Sequence, residues 1–295
     1  MEISINGAKI IKVFENLPLL GDVRLTQTVV MSWVVLLILS ALCIWLGSGL
    51  KVTGISRRQA VAEMAVTSLI RFVHNYMGTG FDRYIPLVGT LFMTSVLSST
   101  ISVLGLWSPT ADLMTTLGWA LVVFVLITYH KIRAAGVGGY LKGFLDPLFL
   151  LAPINVMAEF FTPISMACRH FGNILSGTVI SALIYGALTA ATYGVMGALG
   201  SSVVLALAVS AAGVALAVFA RKRGRTVFFV MGIILGLLGA LSPVHNMGGF
   251  FGEIPFLAIG LPAVTGAYFD WFGGCIQAFI FCTLTTLFIK QAAGD

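Results

Sequence analysis

Charged residues are scarce in this sequence. Only 9% of its 295 residues are Asp, Glu, Lys or Arg, whereas 58% are hydrophobic and the mean hydropathy is +1.01. Soluble domains carry about 25% charged residues, so this composition excludes an ordinary water-soluble enzyme. Most of the chain is expected to lie in lipid.

The sequence also has little that indicates a metal or a cofactor. Its four cysteines lie in apolar segments without a CxxC pair, which argues against a zinc site and a disulfide framework. It contains no GxxxxGK[ST] phosphate loop, no HExxH and no GxSxG motif. We therefore expect no metal, no cofactor and no nucleotide chemistry on this chain.

The net charge of +6 does not point to a nucleic-acid partner. The basic residues form short clusters between apolar runs, for example Arg57 with Arg58 and the stretch from Arg221 to Arg225. The positive-inside rule puts such clusters in the cytoplasm. It predicts an N-terminus outside the cell membrane, a C-terminus in the cytoplasm and membrane lipid as the surroundings. A bacterial inner membrane is the location we expect.

Long apolar runs predict an all-α polytopic membrane protein. A spanning helix needs roughly 20 apolar residues, and the runs suggest about five to seven transmembrane helices in a single integral membrane domain, residues 1–295. Residues 1–27 form an outer N-terminal segment, and 51–83 a cytoplasmic segment that contains an amphipathic interfacial helix at about 57–76. Spans are expected at about 28–50, 85–106, 113–129, 202–220 and 226–244, with longer, tilted, bent or broken helices at 147–199 and 254–291.

Arg169 is the most unusual residue of the long segment 147–199. A charge near the centre of a bilayer costs about 2.5 to 3.5 kcal/mol on insertion scales. On a helix, Ser165, Asn173 and Ser176 would form one polar stripe with Arg169, and that stripe should face protein or water. The alternative is that Arg169 extends to an interface from a tilted helix. Glu159 is either a cytoplasm-side carboxylate of an ion path or a structural interfacial residue.

Asp270 and Gln277 mark a second polar position in the last apolar segment. Their spacing is about two helical turns, so they share a face that also carries the small Gly273 and Gly274. An intramembrane carboxylate beside an amide suits a water-lined ion path. The simpler alternative is an ordinary hydrogen bond between helices.

Three stretches of the sequence resemble subunit a of the F-type ATP synthase. They are Ser108-Pro109-Thr110-Ala111-Asp112-Leu113, the run from Pro153 through Pro163 to Arg169-His170-Phe171-Gly172-Asn173, and Gln277-Ala278-Phe279-Ile280-Phe281 with Leu284-Thr285. The middle stretch is the most specific, although His170 stands where the family pattern Arg-Leu-Phe-Gly-Asn has leucine.

The resemblance implies a role for each polar residue. Arg169 would separate two ion half-channels and contact a carboxylate of the rotating c-ring, with Gln277 and Asn173 beside it. Thr178 stands where many relatives carry Glu or His, and Asp270 would supply that titratable group. The ion pathway would also include Glu159, Ser165, Ser176 and Asp112.

The resemblance further implies a stator subunit of the ATP synthase membrane sector, with the c-ring and the b subunit as partners and no catalytic activity of its own. H⁺, or alternatively Na⁺, would drive ring rotation and ATP synthesis. The helices of 147–199 and 254–291 would form a tilted hairpin, with 200–252 as an inserted pair of spans. The alternatives are a secondary transporter with Arg169 as its substrate site and a structural membrane anchor.

Overall fold

The computed structural model describes residues 8–17, 21–53, 55–146, 148–246, 255, 258 and 260–294. Seven helices in this part of the chain are long and apolar enough to cross a membrane, which confirms the all-α polytopic membrane fold. Two compact units are present: a larger unit, Asn6–Thr178 with Gly266–Asp295, and a smaller unit that includes Val179–Thr265. The single-domain organisation stays a prediction.

A short β-hairpin precedes the first membrane helix, and the sequence analysis did not predict it. Strand β1, Ile10–Leu17, pairs antiparallel with strand β2, Gly21–Thr26. The N–H of Gln27 donates to the carbonyl of Lys9 at 2.8 Å, so the hairpin continues directly into the helix that follows. The predicted segment 1–27 therefore contains regular structure.

Helix α1, Gln27–Gly47, corresponds to the predicted span at 28–50. It is apolar on every face and buries only Thr28, Val35 and Leu39 within the chain. The indole N–H of Trp107 donates to the hydroxyl of Thr28 at 3.2 Å. A helix with so much uncovered apolar surface is suited to contact with lipid.

Helix α2, Arg57–Met77, coincides with the predicted amphipathic helix and is not among the seven candidate spans. Ser56 caps its N-terminus by accepting a hydrogen bond from the N–H of Gln59 at 3.2 Å. The Gln59 side chain also donates to the carbonyl of Lys51 at 2.8 Å and accepts from its N–H at 3.0 Å. These bonds fix the connection between α1 and α2.

The core of the larger unit lies among α2, α3, α4 and the last helix. Helix α3 spans Ile85–Val103 and α4 spans Leu113–Gly143. Val88 of α3 and Val123 of α4 are fully buried in this core. The Ser98 hydroxyl, also buried, donates to the carbonyl of Thr94 at 2.7 Å, so the polar group is satisfied within its own helix, as lipid surroundings require.

Helix α4 is longer than the sequence predicted. The predicted span ended at residue 129, but the helix continues through Lys131 and Arg133 to Gly143. A kink at Gly136, where φ is +70°, interrupts this extension. The basic residues that we expected in a connecting loop are therefore carried on a helix.

Helix α5, Ala152–Gly200, is continuous over 49 residues. At 1.5 Å per residue it is about 73 Å long, more than twice the roughly 30 Å of a bilayer core. It must therefore tilt or bend to remain in lipid, as predicted. Pro163 lies inside it and removes one backbone hydrogen bond, which favours a kink at that position.

The last membrane segment contains a change of helix type. Helix α8, Leu261–Gly266, is followed by a π-helical segment, Ala267–Gly273, and by α9, Gly274–Ala293. The predicted start at Ile254 and most of the glycine-rich turn before it lie outside the described residues. π-helical turns inside helices are often found at functional sites.

The smaller unit contains a tightly packed helical hairpin. Helices α6, Val203–Lys222, and α7, Thr226–Asn246, correspond to the two predicted spans at 202–220 and 226–244. A Cβ atom added at Gly213 would lie 2.2 Å from the backbone nitrogen of Gly236, and one at Gly232 would lie 2.4 Å from that of Ala217. Small residues thus allow backbone contact between the helices.

Gly213→Ala is expected to destabilise this hairpin, because the new methyl group would overlap the backbone of α7. Overpacking costs about 1 to 3 kcal/mol, more than the roughly 1 kcal/mol that alanine gains over glycine in a helix. SDS titration of the purified protein measures the change. Gly236→Ala is the control, since the atoms nearest to its Cβ, Val214 Cγ2 and N, would lie at the ordinary contact distance of 3.7 Å. Equal unfolding midpoints for the two variants would contradict the packing.

Candidate functional site

Arg169 lies on an uncovered face of α5. Its side chain is exposed, as are those of Ser165 and Ser176, whereas Asn173 is half-buried. Because α5 is helical throughout, these residues form the predicted polar stripe. Among the residues that the structure describes, no carboxylate forms an ion pair with Arg169. The described part of the chain therefore leaves the permanent positive charge of Arg169 without an ion-pair partner.

His170 lies on the enclosed side of α5, next to Arg169 in sequence. It is 1% exposed, and its Nε2 lies 3.1 Å from Ser95 Oγ on α3. Its ring centroid is 6.0 Å from that of Trp119 on α4 and 5.9 Å from that of Phe281 on α9. Consecutive residues of a helix are rotated by about 100° around its axis. Because three helices enclose His170, Arg169 lies toward the open side of α5.

The sequence analysis noted His170 only as a departure from the family pattern and assigned it no place in the site. A polar residue within an apolar segment was the signal that could have identified it. The enclosing contacts come from three other helices, which no local pattern reveals.

Asp270 lies in the π-helical segment and is half-buried. Its Oδ2 accepts a hydrogen bond from Ser102 Oγ of α3 at 3.2 Å. Its Oδ1 is buried and has no hydrogen-bond partner among the described residues. Gly177 of α5 lies against this segment, since a Cβ there would be 2.7 Å from Phe269 Cβ and 3.2 Å from Asp270 Oδ1.

Asn173 meets the same segment one helical turn before Gly177. A Cβ added at Gly273 would lie 2.8 Å from Asn173 Nδ2. That nitrogen is buried and, within the described part of the chain, its N–H groups have no acceptor. Ser102, Asn173 and Asp270 together are called the polar seam below.

Gln277 lies on α9 and is half-buried. Between it and Asp270, Gly274 faces α3 so closely that a Cβ would lie 2.1 Å from Ser99 Oγ. The sequence analysis placed Asp270 and Gln277 two α-helical turns apart. In the structure the π-helical segment, with its wider i to i+5 turns, ends between them, so their relation is not that of two α-helical turns.

The polar seam can hold water or an ion. It contains a buried donor, Asn173 Nδ2, and a buried acceptor, Asp270 Oδ1, neither of which is paired among the described residues. An unpaired buried polar atom costs about 1 to 3 kcal/mol, and such atoms are commonly satisfied by buried water. Water molecules can accept from the Asn173 amide N–H and donate to Asp270 Oδ1, and so complete these hydrogen-bonding groups.

Glu159 and Asp112 have other surroundings. Lys131 Nζ donates to Glu159 Oε2 at 2.5 Å. This pair lines a cavity of about 540 Å³ between α4, α5 and the end of α9, with Tyr140 and Asn155 in its wall. Asp112 caps α4, where its carboxylate accepts from the N–H of Met114 at 3.0 Å. Neither contact joins these two residues to the polar seam.

In the part of the chain that the structure describes, no three His, Cys, Asp or Glu side chains lie close enough together to hold a metal ion. The four cysteines are free thiols. The site residues of the larger unit instead include the exposed guanidinium of Arg169, the half-buried carboxylate of Asp270 and several hydroxyl and amide groups. Groups of these kinds can hydrogen-bond to water and interact with protons or small cations.

Comparison with known proteins identifies similar sequences. The ATP synthase A chain family matches residues 29–221. ATP synthase subunit a 1 of Prosthecochloris aestuarii is 36% identical over 173 residues, which cover 56% of this chain and 75% of the relative. ATP synthase subunit a, sodium ion specific, of Propionigenium modestum is 26% identical over 286 residues, covering 92% and 75%.

Replacing His170 tests the enclosure that orients α5. His170→Ala should lower the free energy of unfolding by about 2 to 4 kcal/mol, because it leaves a cavity between three helices. His170→Leu keeps most of the volume and should change it by less than about 1.5 kcal/mol. SDS titration of the purified protein reads both values. Thr178→Ala, an exposed change on the same helix, is the control; a His170→Ala midpoint equal to the control would show that His170 is not enclosed.

Proposed function

Because the chain belongs to the ATP synthase A chain family, it is a multi-pass subunit of the ATP synthase membrane sector, and we propose that it forms the two ion half-channels beside a rotating c-ring. An ion enters one half-channel, loads a ring carboxylate, travels with the ring and leaves by the other. The b subunit of the peripheral stalk holds the chain stationary. The membrane is the bacterial inner membrane, with the N-terminus outside and the C-terminus in the cytoplasm.

The observation that carries this proposal is the uncovered and unpaired Arg169. Its guanidinium remains protonated, so it attracts the ionised carboxylate of a ring subunit and repels cations that would pass directly between the half-channels. The face of α5 that carries Arg169 is available for the ring, because Ser165, Arg169 and Ser176 are exposed in the described part of the chain.

The outer half-channel follows the polar seam. Asp270 supplies the titratable group, and Ser102 and Asn173 orient the water or ion beside it, which is supported by their contacts and unpaired atoms. Thr178 has no titratable group, and its hydroxyl donates to the carbonyl of Leu175 at 2.8 Å. The carboxylate of the π-helical segment therefore takes the part that a residue of α5 takes in many relatives.

The inner half-channel opens through the cavity that Glu159 and Lys131 line. This cavity lies at the ends of α4 and α9 and near the start of α5, on the side where the basic residues predict cytoplasm. Thr162 forms part of its wall, about 10 Å along α5 from Arg169. Glu159 thus offers a carboxylate to ions that leave toward the cytoplasm.

H⁺ is the transported ion that we propose, and Na⁺ is the alternative. A carboxylate such as Asp270 exchanges protons directly. The relative from Propionigenium modestum is described as sodium ion specific, so pumping is to be measured with and without Na⁺. Acidification in the absence of Na⁺ supports H⁺, whereas a strict requirement for Na⁺ supports the alternative.

Arg169→Ala is expected to abolish ATP-driven acidification of inverted membrane vesicles, because the barrier between the half-channels is removed. Arg169→Lys should also fail, since a compact ammonium cannot make bidentate contact with a carboxylate. Pull-down of the complex checks assembly. Cys168→Ala changes the exposed neighbour of Arg169 and should pump as wild type does. Coupled pumping by assembled Arg169→Ala complexes would contradict the proposal.

Asp270→Asn keeps the shape of the side chain but removes its exchangeable proton. ATP-driven pumping should fall by about 100-fold, in the range of a lost acid–base group. Ser102→Ala removes only one hydrogen bond, worth about 1 kcal/mol, and should reduce pumping by no more than roughly tenfold. The same vesicle assay measures both. Wild-type rates for assembled Asp270→Asn would remove Asp270 from the ion path.

A further inference from the structure

A second polar cavity lies at the same end of the larger unit as the Glu159 cavity. Its volume is about 340 Å³, and it is lined by Gly80, Phe81, Arg83, His130, Arg133, Ala134 and Ala293. The lining comes from the turn before α3, the extension of α4 and the end of α9. Ala134 also lines the Glu159 cavity, but Arg83, His130 and Arg133 have no part in the proposed ion path.

The two arginines of this cavity lack an anionic partner. Among the described residues neither Arg83 nor Arg133 forms an ion pair. The neighbouring carboxylate, Asp82, is paired with His74 at 2.5 Å. Arg83 lies 5.3 Å from the ring centroid of Tyr84. Within the described residues, therefore, two permanent positive charges border one concave site and no carboxylate pairs with either of them.

The floor of the cavity is preformed. The hydroxyl of Tyr84 is hydrogen-bonded to Nε2 of His130, and both residues are buried. Phe81, which is also buried, packs with its ring centroid 6.3 Å from that of His130. Because these side chains are held by packing, an anion bound above them would not have to order the floor first.

We propose that this cavity binds a phosphate group, that of an anionic phospholipid headgroup. Guanidinium groups match the geometry of phosphate oxygens, and basic pockets between membrane helices on the cytoplasmic side bind such headgroups. The basic clusters of the chain predict that this end of the unit faces the cytoplasmic leaflet. The bound headgroup joins the start of α3, the end of α4 and the end of α9.

The test compares phosphatidylglycerol binding to purified ATP synthase complexes in a neutral detergent, with native mass spectrometry of this subunit as the readout. The double variant Arg83→Gln/Arg133→Gln should bind phosphatidylglycerol about 30-fold more weakly than wild type. The matched control is Arg221→Gln/Arg225→Gln, which removes the same charge from the α6–α7 turn. It should bind phosphatidylglycerol at this site as wild type does.

Competition with inorganic phosphate distinguishes a phospholipid headgroup from free phosphate as the ligand. If millimolar phosphate does not displace bound phosphatidylglycerol, the ligand is the lipid headgroup. If phosphate displaces the lipid and itself binds, the ligand of the same guanidinium groups is free phosphate. If the double variant fails to assemble, the single variants are measured, and each should bind about fivefold more weakly. Equal binding by wild type, the Arg83 and Arg133 variants and the control would overturn the proposal.

Discussion

An unpaired guanidinium on a lipid-spanning helix is the constraint on which the larger unit depends. In the described residues the chain pairs Lys131 with Glu159 and His74 with Asp82, yet it provides no carboxylate for Arg169. A charge at the bilayer centre costs about 2.5 to 3.5 kcal/mol on insertion scales. In the proposed function, a ring carboxylate of another subunit is the partner that the described part of this chain does not provide.

Close helix packing produces the site beside that charge. Gly177 and Gly274 allow α5 and α9 to approach their neighbours to distances that a Cβ atom would prevent. This brings Asp270 within hydrogen-bonding distance of Ser102, while one of its oxygens stays unpaired. Small residues thus form the contacts between helices, and the larger polar side chains are left to meet water or ions in the proposed half-channel.

The departures from the family pattern are consistent with one another in physical terms. Thr178 satisfies its hydroxyl within α5, and the carboxylate is instead carried by the π-helical segment opposite. His170 replaces an apolar leucine, and Ser95 provides a polar partner for its ring within an otherwise aromatic enclosure. In each case the departure occurs together with a polar residue on another helical segment, Asp270 for Thr178 and Ser95 for His170.

The sequence by itself determined the membrane class, the approximate limits of α1, α6 and α7 and the polar stripe around Arg169, because hydropathy and helical periodicity are local properties. The tertiary structure decided the rest. Ser102 and Asp270 are 168 positions apart, and their contact depends on the rotation of two helices and on a π-helical turn. The enclosure of His170 depends on three other helices. Long-range contacts of this kind are set by side-chain packing between helices, which no single segment encodes.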